Sequence, residues 1–291
     1  MDNPIIALMY DFDRTLSVED MQNFMFIPSL GMDTKSFWDY TNAFGKENKM
    51  DGILSYMYIM LAEAKKKNLR VTEASLKEMG RNIRFFPGVE TWFRRITNFG
   101  LLQGVTVEHY VISSGLKEII NGCSIHNCFK EIFASEFIYN ELGEPVWPKT
   151  AVNYTNKTQF IYRINKGIFD ASDSKINASM PEENKRVRFE NMIYLGDGLS
   201  DVPCMKMVKS YGGKSIAVYQ DTTENAVKLI EKDRVDFVYP ADYSANSPLE
   251  KNVKNIIRSM AIRDQLYRES RAQKEIYRSE PNEAPQDTPE G

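Results

Sequence analysis

Two histidines and three cysteines are all the imidazole and thiol ligands that 291 residues offer a metal. Cys123 and Cys128 bracket His126, but a structural zinc site takes four ligands and the only other histidine is His109. Reduced, partly buried thiols are therefore the better reading. Three cysteines cannot all pair, which suits a reducing, cytoplasmic compartment. No apolar run approaches the length of a membrane span. The chain enters a strand by residue 5, which leaves no room for a signal peptide. With a net charge of -3 there is no global basic field for nucleic acid. The densest basic run, Lys65-Lys66-Lys67 with Arg70, reads as the solvated end of a helix whose dipole it complements. No internal repeat is visible. At 42% hydrophobic and 26% charged residues, the chain has a soluble globular profile and suffices for one large or two unequal domains.

What is present is an alternation of short apolar runs and helical patterns, interrupted once. Ile5 to Tyr10 reads as a buried strand. From Val18 to Arg84 the pattern is helical throughout, with Gly52 to Lys67 the clearest amphipathic helix and Thr72 the cap of another that is helical from Ser75 onward. Phe86-Pro87-Gly88 breaks the block, and Val89 to Thr97 resumes as a helix. His109 to Ile112 is a short strand, with Ser113-Ser114-Gly115 turning into a helix over Leu116 to Asn121. Ile132 to Tyr139 is a strand running into a hairpin turn at Asn140 to Glu144. Lys157 to Asn165 is helical; Asn191 to Leu195, Ser215 to Tyr219 and Asp236 to Tyr239 are strands. Strands separated by helices imply a parallel sheet with helices on both faces, a Rossmann-like α/β core. Residues 170–185 look like a polar surface insertion, and 280–291, Pro- and acid-rich, are expected to be disordered.

Four places in this pattern end a strand or open a helix with related chemistry. Asp11 and Asp13, at i and i+2 of an extended segment, share a side at the end where open α/β sheets bind ligands. Like charges that close need a cation or a shared proton. Ser113 follows a strand and sets a hydroxyl beside the N–H groups of a helix start, suited to an anion. Lys157 opens a helix with a positive charge; Lys149 and Lys166 compete for this role but open none. Gly196-Asp197-Gly198-Leu199-Ser200-Asp201 is a tight turn with two outward carboxylates. Asp11, Asp13, Asp197 and Asp201 make a hard-oxygen set suited to Mg²⁺. One hydroxyl and one ammonium turn such an ion site into a pocket for a phosphoryl group.

In that order, DFDRT, an apolar strand ending in Ser, a helix-opening Lys and GDGLSD resemble the four motifs of the haloacid dehalogenase-like superfamily, and within it the phosphoserine-phosphatase-like members. FPGV at Phe86 to Val89 resembles the return from a helical cap to the core. The resemblance spans roughly residues 5 to 220 and implies a Mg²⁺-dependent phosphatase acting on a small phosphorylated metabolite. It makes Asp11 the nucleophile that forms an aspartyl-phosphate and Asp13 the acid and then the base. Thr15, Ser113, Ser114 and Gly115 would hold the loop and the phosphoryl oxygens. Lys157 would neutralise charge, and Asp11, Asp13, Asp197 and Asp201 would hold the metal. An acid at position 13 resembles phosphatases and phosphomutases, whereas dehalogenases of the superfamily lack one. A phosphomutase shares the first step; a non-catalytic phospho-ligand binder would have lost Asp11 or Asp13, and neither is lost.

The implied organisation is a catalytic core of residues 1–16 and 86–245, a helical C1-type cap over 17–85, a C-terminal helix over 246–279 and a tail over 280–291. Phosphoserine-specific relatives carry an acid shortly after the first motif, a place Glu19 or Asp20 could fill. They also carry a cap Arg for the substrate carboxylate. No Arg lies between Arg14 and Arg70, which leaves Lys46, Lys49, Arg81 or Arg84. The aromatics of the block (Phe24, Phe26, Phe37, Trp38, Tyr40, Phe44, Tyr56 and Tyr58) are read as its own core.

Overall fold

In a computed structural model that describes residues 3–220 and 224–279, seven strands form one sheet in the order β4-β3-β2-β1-β5-β6-β7. They are β1 (Ile5–Tyr10), β2 (Thr106–Leu116), β3 (Glu131–Tyr139), β4 (Pro145–Thr150), β5 (Met192–Gly196), β6 (Lys214–Tyr219) and β7 (Phe237–Pro240). All neighbours pair in parallel except β3 with β4. That antiparallel pair is the hairpin closed by Asn140 and Glu144, whose backbones bond at 3.0 Å. The core is thus a Rossmann-like parallel sheet with one antiparallel edge strand, an edge position that tolerates Pro145 and Pro148.

β1 is central because both of its faces are apolar. Ile6, Leu8 and Tyr10 pack with Trp92, Phe93 and Ile96 of the helix Val89–Leu102 and with Ile256 and Ile257 of the C-terminal helix Pro248–Ser279. Ala7 and Met9 face the other way, toward Phe160, Ile161 and Ile164 of the helix Lys157–Lys166 and Met205 and Val208 of the helix Val202–Ser210. This two-residue alternation, apolar on both sides, is what a covered parallel strand requires. From β1 the chain builds β2 and β3 on one side and β5, β6 and β7 on the other. The carboxyl end of β1 is therefore a switch point, the place where such sheets open a crevice.

Between β1 and β2 the described chain adds helices and no sheet strand over residues 17–85. The helices are Met21–Phe24, Phe26–Ser29, Thr34–Glu47, Gly52–Lys66 and Glu73–Met79. Asp33 caps the third helix, Asp51 the fourth, and Thr72 with Ser75 forms a capping box on the fifth, which fixes where each begins. The reading of the insert's aromatics as its own core fits Phe26 and Phe37, which are buried, but Tyr40 and Tyr58 face solvent, and Trp38 and Tyr56 line a cavity toward the sheet.

Some boundaries differ from expectation: the helix expected over Val89 to Thr97 runs on to Leu102. The strand expected at His109 to Ile112 runs from Thr106 to Leu116, with a register irregularity after Ile112. Ser113-Ser114-Gly115 is therefore the irregular end of β2, and the helix that follows is one turn, Lys117–Ile120. Burial of Ser113 and Gly115 keeps this stretch extended where a Ser-Ser-Gly sequence suggests a turn. Residues 170–185 carry the short turns Ser174–Asn177 and Glu182–Asn184. The tail over 280–291 lies outside the described residues. No helix among the described residues is long and apolar enough to cross a membrane.

Candidate active site

The loop after β1 is folded onto one carbonyl. Asp11 N–H donates to the Leu195 carbonyl at 2.9 Å, tying β1 to β5. The Phe12 carbonyl then accepts from the N–H groups of Thr15, Leu16 and Ser17. Arg14 sits at φ 58° at the tip, a conformation most side chains avoid. Tyr243 OH donates to the Thr15 carbonyl at 2.8 Å, clamping the loop from a segment 228 residues away. Thr15 is fully buried and its Oγ1 has no partner.

Lys157 is the electrostatic centre. Its Nζ lies 2.9 Å from Asp11 Oδ1 and 2.9 Å from Asp201 Oδ1, with all three side chains buried. Burial alone would strip the charge from this ammonium, but Asp11 and Asp201 reverse that and hold it protonated. Tyr194 OH donates to the same Asp201 Oδ1 at 2.7 Å. Lys149 pairs instead with Glu136, and Lys166 donates to the carbonyls of Ile176 and Ala178.

One cation is too few for this site. Oxygens of Asp11, Asp197 and Asp201 lie within 4.8 Å of one another, and Asp201 Oδ2 is buried with no partner. Burial, and then Asp201, pushes the Asp11 carboxyl up to about 7. Burial, with Asp11 and Asp201, pushes Asp197 up to about 8. Such shifts mean that the cluster at neutral pH takes up protons or a cation. Three oxygen donors, one of them orphaned, fit Mg²⁺ in donor type. The glycine at 196 makes the arrangement possible: a Cβ there would stand 2.6 Å from Asp201 Cγ.

Asp13, expected among the metal ligands, stands outside that group. Its Oδ1 accepts from Met21 N–H at 2.8 Å. Burial, then Asp20 and Asp11, raises its pKa well above the ordinary carboxylate value. Its Oδ2 would lie 3.0 Å from a Cβ on Gly115, so the end of β2 and Asp13 are in close apposition. Ser113 is fully buried and its Oγ accepts from Gly115 N–H at 3.0 Å. The Ser114 carbonyl accepts from Tyr56 OH at 2.7 Å and from Ser135 Oγ at 3.1 Å. Tyr56 belongs to the helical insert, so this bond joins the insert to the sheet.

Asp13, Ser114 and Gly115 line a cavity of about 290 Å³ together with Asp20, Gln22, Trp38, Thr41, Asp51, Tyr56 and Asn153, among others. Tyr194, Tyr243, Trp38 and Asn153 have no motif to announce them. The zinc-like trio is not assembled with the second histidine: His126 Nδ1 contacts the Cys123 carbonyl at 2.8 Å. His109 is buried between Tyr10 OH and Thr97 Oγ1, each at 3.0 Å.

Comparison with known proteins agrees with this geometry. The haloacid dehalogenase-like hydrolase family profile matches residues 8–206. An uncharacterized protein of Borreliella burgdorferi is 28% identical over 274 residues, covering 84% of this chain and 94% of that protein. A HAD-family hydrolase from Salmonella enterica subsp. enterica serovar Typhi superposes with a TM-score of 0.55 at 15% identity, over 84% of this chain and 73% of that one. A substrate-bound phosphoserine phosphatase gives 0.53 at 16% identity, over 83% and 96%. Identities this low speak for the fold alone, but the family profile covers more than half of the chain and contains Asp11, Asp13, Ser113, Lys157, Asp197 and Asp201. The protein belongs to the haloacid dehalogenase-like hydrolases.

Proposed function

We propose that the protein is a Mg²⁺-dependent phosphatase that hydrolyses a small phosphomonoester through an aspartyl-phosphate on Asp11. The observation that carries this is the unbalanced cluster: Asp11, Asp197 and Asp201 within 4.8 Å, one lysine, and an orphaned Asp201 Oδ2. When bound, Mg²⁺ would shield the carboxylates from the phosphate dianion they must admit.

The protein's own groups divide the work. Lys157 opposes the rise that burial imposes on the Asp11 carboxyl and orients it through Oδ1. The other oxygen attacks phosphorus; the P–O bond to the leaving alcohol breaks with its electron pair on that oxygen. Asp13, kept protonated by burial and anchored through Oδ1, gives that oxygen its proton from Oδ2. In the second half, water attacks the aspartyl-phosphate and passes a proton to the Asp13 carboxylate, and Asp11 leaves as carboxylate with inorganic phosphate. Ser113, Ser114, Gly115 and Thr15 shape the receiving wall.

We further propose that residues 17–85 act as a cap over a core of 1–16 and 86–245, with Pro248–Ser279 a C-terminal helix packed on one sheet face. The Tyr56 to Ser114 bond and the Asn153 to Asp51 bond at 2.8 Å support closure over the cavity. Closure of this kind restricts the site to small molecules rather than macromolecules. Three free cysteines are consistent with a reducing, cytoplasmic setting.

Phosphate release from a panel of small phosphomonoesters, with Mg²⁺ or EDTA, is the test. Release should require both the metal and Asp11; Asp11→Asn should lower it by about 10⁴-fold or more. Normal turnover in that variant, or in EDTA, would refute the assignment. Binding without release from any ester would favour transfer to another acceptor.

A further inference from the structure

The wall of the cavity on the Asp13 side bears on which alcohol departs. Asp13 is the acid for the leaving oxygen, so the space it shares with Ser114, Trp38, Thr41, Asp51 and Tyr56 is where the leaving group lies. No Lys, Arg or His lines that space. The cations expected to hold a substrate carboxylate are elsewhere: Arg84 pairs with Glu19 and Arg81 with Glu78. Lys46 and Lys49 are exposed and away from the lining. Arg14 stands beside the cavity, but its guanidinium is paired at 2.8 Å with Asp20, which is itself in the lining.

The wall is instead acidic and aromatic. Asp51 accepts from the N–H groups of Ile53 and Leu54 and from Asn153 Nδ2. None of the ion pairs among the described residues involves it, so its negative charge meets no cation. Trp38 and Tyr56 meet edge to face, centroids 5.9 Å apart, and both are fixed by their polar ends: Trp38 Nε1 donates to Asn23 Oδ1 and Tyr56 OH to the Ser114 carbonyl. Between these features stands Thr41, 1% exposed, with its Oγ1 unpartnered. A fixed aromatic pair, a carboxylate held by N–H donors but by no ion pair, and an orphaned hydroxyl oxygen together accept an alkylammonium group. The same wall repels a carboxylate, which would enter among acids and meet no cation that is not already paired.

We infer that this cavity selects phosphomonoesters of ammonium-bearing alcohols that lack a carboxylate. This deepens the phosphatase reading and rests on it for turnover, though not for binding. Phosphoserine carries the ammonium but also the excluded carboxylate, so it is a poor substrate here despite the fold it shares with its own phosphatases.

The test compares kcat/KM for phosphoethanolamine and phosphocholine with that for 2-hydroxyethyl phosphate, a neutral analogue, and for phosphoserine, all with Mg²⁺. The cationic esters should exceed the neutral one by about tenfold and phosphoserine by more. Asp51→Asn keeps a good helix cap and removes the charge, so it should bring the cationic-to-neutral ratio close to one. A purely structural role for Asp51 would lower both rates together and leave the ratio standing. Equal rates for neutral and cationic esters, or a preference for phosphoserine, would overturn the inference while leaving the phosphatase reading intact. Calorimetric titration of Asp11→Asn with phosphocholine and 2-hydroxyethyl phosphate separates the two failures. Selective phosphocholine binding without turnover of any ester by the unmodified protein would overturn the phosphatase reading and uphold the pocket; no selectivity in either assay would overturn the pocket.

Discussion

Replacing Lys157 by Met tests the electrostatic account of the site most directly, because Met keeps an unbranched apolar stem and loses only the charge. In the native protein the ammonium lies 2.9 Å from a carboxylate oxygen on each side, and Lys157 is 1% exposed. Without it, Asp11 and Asp201 face each other in a buried space with no counter-charge. Removing one partner from a buried ion pair costs about 3–5 kcal/mol, a shift of roughly 10² to 10³ or more in the folding equilibrium. The protein can relieve part of that cost by taking up a proton, since Asp11 already stands near 7 with the lysine present and rises further without it. A carboxyl whose folded pKa lies above its unfolded value binds more protons when folded. Its contribution is therefore favourable at low pH and is lost as pH rises from the unfolded value of 3.8 through the folded one. The variant should be least stable relative to the native protein at pH 8 in EDTA, and the gap should narrow toward pH 5. Urea unfolding followed by tryptophan fluorescence measures this. Adding Asp201→Asn, which removes one of the two stranded charges and still accepts from Tyr194 OH, should recover at least half of the loss. A single-variant cost under about 1 kcal/mol at pH 8, the range of an exposed pair, would show that the three groups are not the buried unit described here, as would a double variant no more stable than the single.

Three further outcomes are expected. Ca²⁺ in place of Mg²⁺ should abolish most of the phosphatase activity, because its longer, looser coordination would displace the attacking carboxylate; equal initial rates in the two metals would contradict a metal-aligned attack. Gly196→Ala should raise the Mg²⁺ concentration needed for half-maximal rate by tenfold or more, since the new Cβ would stand 2.6 Å from Asp201 Cγ and Oδ2; an unchanged metal titration would refute it. His109, lowered by burial to about 3 from 6.5, is neutral when folded, so its contribution is complete above pH 6.5 and is lost as pH falls toward 3, about 2 kcal/mol by pH 5; unfolding at pH 7 and pH 5 should show that loss in the native protein and not in His109→Gln.

How much of this was legible in the sequence depends on whether the signal was local. β1 and its two aspartates are announced by one apolar run and by the i, i+2 spacing that follows. The insert's helices are announced by period, and Thr72 caps where its sequence position suggests, whereas the Asp51 cap was not read. Ser113 misled in conformation though not in location: Ser-Ser-Gly suggests a turn, but burial against Met21 and Tyr56 keeps it part of β2. The hairpin turn before β4 was readable; the strand itself, with two prolines in six residues, was not. The clamps were silent. Tyr243 reaches Thr15, Tyr194 reaches Asp201, and Trp92 Nε1 donates to Tyr10 OH at 2.9 Å, all through contacts that no spacing encodes. The Trp92 bond extends to a chain: Tyr10 OH lies 3.0 Å from His109 Nδ1, and the other ring nitrogen lies 3.0 Å from Thr97 Oγ1. A histidine that looked like a spare zinc ligand is one link of a neutral buried chain behind the nucleophile's strand.

The same shortage of cations appears at both ends of the site, and together the two ends give it a direction. At the strand ends, three carboxylates share one lysine, and the oxygen left over on Asp201 calls for a divalent ion. In the cavity, Asp51 has no ion pair and the wall carries no basic side chain. Mg²⁺ would bring the first end close to neutrality and leave the second acidic, and it would stabilise the fold by RT ln(1 + [Mg²⁺]/Kd). A metal-loaded site would then present the cation to phosphate at the strand ends and an acidic wall in the cavity. A neutral leaving group would feel only the first of these fields, and an anionic one would be repelled by the second. On the proposed reading, a substrate anionic at one end and cationic at the other would be oriented by both before any hydrogen bond forms, with its ester oxygen toward Asp13.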